Sequence, residues 1–220
     1  MRGYNTGRSQ NHGFAQRRTQ LYQIYGSPRS RLTRVSWMLQ ELNEPYEIVV
    51  AKPGSAELCS VNPAGKGPVL VDGDLVVVDS AAICTYLGDK HSSANMSAEP
   101  GSRERAHLDS WVHFAQSDLE APLWLKAKHS FILPEDKRLP VGPVTAAEFD
   151  RAVAAMDARL GDREFALGDR FSAADVLLGH CGSWARNAKF SINSERVNSY
   201  FDRVLARDAL ARARAIEEDM

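Results

Sequence analysis

Gly65-Lys66-Gly67-Pro68-Val69-Leu70, followed nine residues later by Asp79-Ser80, is the stretch that decides the fold. A turn leads into a short apolar strand, and a proline stands directly in front of it. Proline removes a ladder donor, so it is tolerated at a strand start only where the neighbouring backbone stays out of the sheet. A cis Gly67-Pro68 bond, which costs about 0.5–1 kcal/mol for X-Pro, would leave the backbone of Gly67 open to an extended peptide. Asp72-Gly73 reads as a hairpin turn and Leu75–Val78 as the returning strand. Asp79-Ser80 then opens a helix whose first amides and partial positive charge suit a carboxylate. A short peptide with a free carboxylate fits both features.

Working outward, Gln20–Tyr25 reads as a strand broken by Gly26-Ser27-Pro28, and a helix follows from about Ser30 to Leu42. Leu32, Val35, Leu39 and Leu42 share one face of that helix. Pro45 ends it, Tyr46–Val50 reads as a second strand, and residues 51–64 read as a loop with some helical character. With the hairpin and a helix from Asp79 to about Lys90, the order is βαβ then ββα, a thioredoxin-like α/β layout. The polar link Ser92–Gly101 reads as a domain boundary.

Beyond the link the pattern is all-helical. Leu108, Trp111, Ala115 and Leu119 mark one long amphipathic helix; Phe149, Val153, Met156 and Leu160 mark another, Thr145–Leu160. Between them an irregular stretch carries Pro134, Pro140 and Pro143. Ser172 and Asp175 form a capping box, with Phe171 and Val176 as its staple, opening a buried helix from Ala173 to about Arg186. A last helix is expected from about Ser194 to Leu210. The predicted division is therefore a tail over 1–18, a thioredoxin-like unit over 19–91, and an all-α helical bundle over 101–220.

Composition narrows the function. The chain has 220 residues, 44% hydrophobic, and a formal net charge of −1, enough for real cores and without the basic surface that nucleic acid requires. No apolar run approaches the ~18 residues of a membrane span, so no membrane partner is expected. Cys59, Cys84 and Cys181 are odd in number and widely spaced, so they form neither a disulfide framework nor a zinc site. A reducing, cytoplasmic setting follows. Residues 1–18 carry four arginines and no acid, with no apolar core of a secretory signal, and read as a disordered tail. His107, His113 and His129 fall in one region without metal-ligand spacing, so no metal is expected, and Cys84 reads as a small buried hydrophobe.

Three segments together resemble the glutathione S-transferase family of the cytosolic, bacterial-like type with a serine-bearing active-site turn. They are Tyr25-Gly-Ser-Pro-Arg-Ser-Arg31 with Arg34-Val35, Asn62–Leu70 with Asp79-Ser80, and Gly168–Val176, and the resemblance covers roughly residues 20–215. It implies a homodimer that takes glutathione as co-substrate and a small apolar electrophile as second substrate. The family pattern makes Gly67, before Pro68, the backbone partner of the tripeptide's cysteinyl unit. Asp79 and Ser80 would hold its γ-glutamyl end, and Lys66 a carboxylate. Most relatives have Val or Ile where Gly67 stands, and many have Glu where Asp79 stands.

The resemblance also sets the chemistry required. A glutathione thiol has a pKa near that of free cysteine, about 8.5, and the thiolate is the nucleophile. Lowering it by about two units needs roughly 2.7 kcal/mol of preference for the thiolate, within reach of one hydroxyl bond plus a helix N-terminus. The candidate donors are Ser30 and Ser27, ranked equal, with Tyr25 behind them; each serine also suits a helix cap. Ser27-Pro28-Arg29-Ser30 stands where glutaredoxin relatives have Cys-Pro-x-Cys, which argues against disulfide chemistry by a protein thiol. The expected second-substrate cleft involves Trp111, His113, Phe114, Trp124 and Trp184, each of which equally suits core packing. Conjugation leads the readings. A glutathione-dependent peroxidase, dehalogenase or isomerase on the same thiolate, and a non-catalytic binding module, stand as alternatives.

Overall fold

The computed structural model describes residues 21–220, so the expected tail over 1–18 lies outside the described residues. The first unit runs β1 (Tyr22–Gly26), α1 (Leu32–Leu42), β2 (Tyr46–Val50), α2 (Ala56–Val61), β3 (Val69–Asp72), β4 (Leu75–Val78) and α3 (Ser80–Lys90). Its sheet has the order β2-β1-β3-β4. β1 pairs parallel with β2 (Tyr22 opposite Tyr46), antiparallel with β3 (Ile24 opposite Leu70), and β3 pairs antiparallel with β4. This is the thioredoxin-like arrangement, and β2 and β4 cover the residues expected as strands after Pro45 and after the Asp72-Gly73 turn. Residues 51–64 form more than a loop: Ser55 caps α2 by accepting from the Leu58 amide.

The second unit is helical: α4 (Arg103–Phe114), α5 (Ala121–Ala127), α6 (Gly142–Leu160), α7 (Ala173–Asn187), α8 (Glu195–Leu205) and α9 (Asp208–Glu218). A π-helical turn, Ala115–Glu120, joins α4 to α5, and another, Lys128–Ile132, follows α5. The irregular stretch is thus shorter than its prolines suggest. Pro143 sits in the first turn of α6, where no donor is needed. The single last helix expected over 194–210 is two helices. Arg207 turns extended between them, ion-pairs with Glu41 of α1 at 2.6 Å, and lies 3.9 Å from the Phe171 ring. A tertiary anchor, invisible to periodicity, overrides helix propensity there.

Most of the core is one continuous cluster. Leu32, Trp37 and Met38 of α1 and Leu87 of α3 meet Leu177 and Leu178 of α7, all completely buried. A small separate cluster of Ala51, Leu58 and Val69 lies under α2, with Tyr25 against it. The link between the units is pinned to the second: the Ala173 amide donates to the Met96 carbonyl at 2.8 Å, and Arg170 donates to the Ser97 carbonyl. The expected capping box forms at α7, and Asp175 does more than close it. The buried Asp175 carboxylate accepts both the amide and the hydroxyl of Ser172, and also the Ala166 amide and the Tyr200 hydroxyl.

Candidate active site

The turn between β1 and α1 borders the cavity that Ser30, Trp124 and Trp184 line. Arg29 adopts φ +56° there, a left-handed conformation that residues other than glycine seldom adopt. The turn is held on three sides. The Ser27 hydroxyl donates to the Ala51 carbonyl at the end of β2 (3.2 Å), and the Arg29 amide donates to the Glu217 carboxylate of α9 (2.8 Å). His180 of α7 places Nε2 at 3.1 Å from the Ser30 carbonyl oxygen. A carbonyl only accepts, so His180 carries its proton on Nε2, and its buried Nδ1 has no partner among the described residues. Burial, joined by the charges of Arg34, Arg31 and Arg214, pushes the His180 pKa well below its ordinary value, so the ring is neutral at pH 7.

The three hydroxyl candidates separate by what they face. Tyr25 packs on the α2 cluster and donates back to Gln23 on its own strand (3.4 Å). Ser27 donates to the Ala51 carbonyl and does not line the cavity that Ser30 lines. Ser30 accepts the Leu32 amide at the start of α1 (3.2 Å), donates to the Ser27 carbonyl (2.6 Å), and lines a cavity of about 550 Å³. Accepting from an amide polarises a hydroxyl and makes it a stronger donor.

The cavity lies between the α1 turn and helices α5, α7 and α9. Trp124, Phe131, Ile132 and Trp184 supply its apolar wall, and Arg29, Arg31 and Arg214 its basic one. Two of the expected cleft residues, Trp124 and Trp184, are thus brought to it. Trp111 and Phe114 lie elsewhere, buried edge-to-face at 5.6 Å with Arg159 stacked on both, and His113 is exposed on α4. Helical spacing marks these aromatics as apolar without saying which face the cavity is on.

The segment Gly65–Leu70 borders the same turn, with Gly67 against Gly26 and Tyr25. Gly67-Pro68 is cis. A Cβ on Gly67 would come within 3.1 Å of the Gly26 Cα and 3.2 Å of the Tyr25 carbonyl oxygen, so glycine here allows the close approach of two backbones. Asn62 donates to the Lys66 carbonyl at 2.7 Å, and the Lys66 side chain is exposed. Asp79 has φ +77°; its Oδ1 caps α3 by accepting the amides of Ala81 and Ala82, and Gln116 donates to both oxygens. Oδ2 is therefore the less occupied side of the carboxylate. Ser80 is buried and accepts from Arg34 Nη1 at 3.1 Å, which leaves its own proton free to donate.

Periodicity did not flag the polar network beneath this surface. Arg34 is 0% exposed, which is tolerable only because the guanidinium is paired. Glu120, on the π-helical turn, takes Arg34 on Oε2 and Arg31 on Oε1, the latter at 2.5–2.6 Å. Burial alone would raise the Glu120 pKa, but the two guanidiniums outweigh it and hold the carboxyl below its usual range. Glu217, 2% exposed, likewise accepts the Arg29 amide and the hydroxyls of Thr33 and Ser36. The one available hint was positional. Arg34 falls among the apolar residues of α1, where an unpaired charge could not stay; Glu120 and Glu217 gave none. Burial pushes the thiols of Cys84 and Cys181 up to about 12, so neither is a thiolate near neutrality. No His/Cys/Asp/Glu cluster among the described residues could hold a metal ion, and no helix is long and apolar enough to cross a membrane.

The glutathione S-transferase N-terminal domain model matches residues 21–98 and the C-terminal domain model residues 124–214. Glutathione S-transferase 1 of Zea mays is 30% identical over 162 residues, covering 70% of this chain and 75% of its own. The chain belongs to the glutathione S-transferase family. Glutathione S-transferase 3 of Schizosaccharomyces pombe is 29% identical over 169 residues, 68% of each chain. Among solved structures, a glutathione transferase from Methylococcus capsulatus superposes with a TM-score of 0.80 at 23% identity, covering 91% of this chain and 100% of that one. A family member from Pseudomonas fluorescens, solved with two glutathione bound, gives 0.76 at 24%, covering 90% and 93%. Those structural likenesses carry the fold, and the sequence relatives carry a transferase of the glutathione type in general terms.

Proposed function

We propose that this protein conjugates glutathione to small apolar electrophiles, with the Ser30 hydroxyl turning its one proton from the Ser27 carbonyl to the glutathione sulfur. The observation that carries the reading is that Ser30, alone of the three hydroxyl candidates, lines the cavity while its oxygen accepts the first amide of α1. In this reading the backbone of Gly67 pairs with the cysteinyl unit ahead of cis Pro68. The Asp79 carboxylate and the Ser80 hydroxyl take the γ-glutamyl amine and carboxylate, and Lys66 a carboxylate. Arg34 supports Ser80 from below and turns its proton outward. The thiolate forms a bond to an electrophilic carbon seated against Trp124 and Trp184, and the leaving group departs with its electron pair. A homodimer and a cytoplasmic setting belong to the same reading, supported by three unpaired cysteines and by Leu75, Val76 and Val78, which leave an apolar edge on β4.

Calorimetric titration with reduced glutathione, paired with a chlorodinitrobenzene conjugation assay, tests it. Saturable heat and turnover support the reading. Heat without turnover favours the binding-module alternative, and neither heat nor turnover overturns both.

A further inference from the structure

We infer that the second-substrate cavity selects electrophiles bearing an anionic group, such as an aromatic carboxylate; this rests on the conjugating role proposed above. An ordinary cleft for apolar compounds needs only apolar walls. Here the same cavity is lined by Arg29, Arg31 and Arg214 beside Trp124 and Trp184. Arg31 is already fixed: its guanidinium lies 4.8 Å from the Trp124 ring centre and 5.2 Å from that of Trp184, and it is tied to Glu120. Arg29 and Arg214 form no salt bridge among the described residues, and Arg214 makes only a neutral bond to Ser183 at 3.0 Å. These two cations face the cavity with capacity to spare.

The acids nearby offset them only in part. Glu120 is shared between Arg31 and Arg34, and Glu217 is spent on the Arg29 amide, Thr33 and Ser36. Glu218 lines the cavity as well, from an exposed position in the last turn of α9. Four guanidiniums (Arg29, Arg31, Arg34, Arg214) therefore stand against three carboxylates, and His180 adds no charge. A planar guanidinium grips a carboxylate bidentately, while the indoles stack on an aromatic ring. The occupant that uses both is an aromatic acid whose reactive carbon reaches toward Ser30. In the reaction the glutathione sulfur forms a bond to the ring carbon and the carbon–halogen bond breaks, halide leaving with the bonding pair.

The test compares a fluoronitrobenzoate with its methyl ester, each rate divided by its uncatalysed rate with glutathione. The expected result is a rate enhancement at least about tenfold larger for the carboxylate, shrinking as salt is added. Arg214→Gln and Arg29→Gln each lower the carboxylate-to-ester ratio by about fivefold or more, and Arg214→Lys keeps only part of it, retaining the charge without the bidentate fork. If the ester turns over with no preference for the acid, the inference fails while the proposed conjugation stands. If the variants raise the KM for glutathione and leave the ratio unchanged, the arginines serve the tripeptide instead, and the inference is overturned. If neither compound turns over and glutathione gives no binding heat, it is the underlying function that fails.

Discussion

His180 Nε2 stands 3.1 Å from the Ser30 carbonyl oxygen, which ties the hydroxyl-bearing turn of the thioredoxin-like unit to the middle of α7 in the helical unit. Glu217 holds the preceding residue from α9. The turn is thus set less by its own sequence than by the second unit packed on it.

The neutral state of His180 predicts a pH-dependent stability. Its pKa is pushed well below the ordinary 6.5 in the folded chain, by burial first and then by Arg34, Arg31 and Arg214, against the pull of the Ser30 carbonyl. Below about pH 6.5 the unfolded chain therefore binds more protons than the folded one. Stability falls with acid, by up to about 1.4 kcal/mol per pH unit from this residue. His180→Gln removes the titration, so its unfolding free energy should decline more shallowly between about pH 6.5 and pH 5. Denaturant melts across that range check this, and parallel curves for the two proteins would count against it.

Glu217 satisfies three donors at once. Glu217→Ala leaves the Arg29 amide and the Thr33 hydroxyl without their acceptor and Ser36 with only the Thr33 carbonyl at 3.3 Å, and should destabilise the fold by about 2–3 kcal/mol. Because it also frees the strained turn at Arg29, the variant should lose activity at temperatures well below its melting point. A variant that is less stable yet fully active when folded would show that Glu217 braces α9 alone.

Among the described residues, Glu120 is the one carboxylate paired to Arg34. Glu120→Ala strands a buried guanidinium and should cost about 3–5 kcal/mol, which urea or thermal unfolding measures. The paired carboxyl titrates below its usual range, so its contribution is complete above the ordinary glutamate pKa and is lost as pH falls through the lowered folded value. The difference in stability between wild type and Glu120→Gln should therefore narrow in acid.

Local chemistry made much of this legible. The hairpin at Asp72-Gly73, the strands β2 and β4, and the caps at Asp79 and Ser172 follow from turn, breaker and capping residues that act over a few positions. The break at Arg207, the continuation through π-helical turns, and the burial of Trp111 and Phe114 depend on partners tens of residues away. The site divides in the same way. Gly67-Pro68, Asp79-Ser80 and the serine turn announce themselves by spacing. Glu120, His180 and Glu217 look like ordinary helix residues until the second unit folds over the first.

The most direct measurement is the ultraviolet absorbance of thiolate as glutathione bound to the protein is titrated with base. The account predicts that the bound thiol ionises about two units below the ~8.5 of a free thiol. It also predicts that Ser30→Ala moves the value back up by at least one unit, while Ser27→Ala and Tyr25→Phe move it little. Bound glutathione that ionises at the free value, or a lowered value untouched by Ser30→Ala, would contradict it.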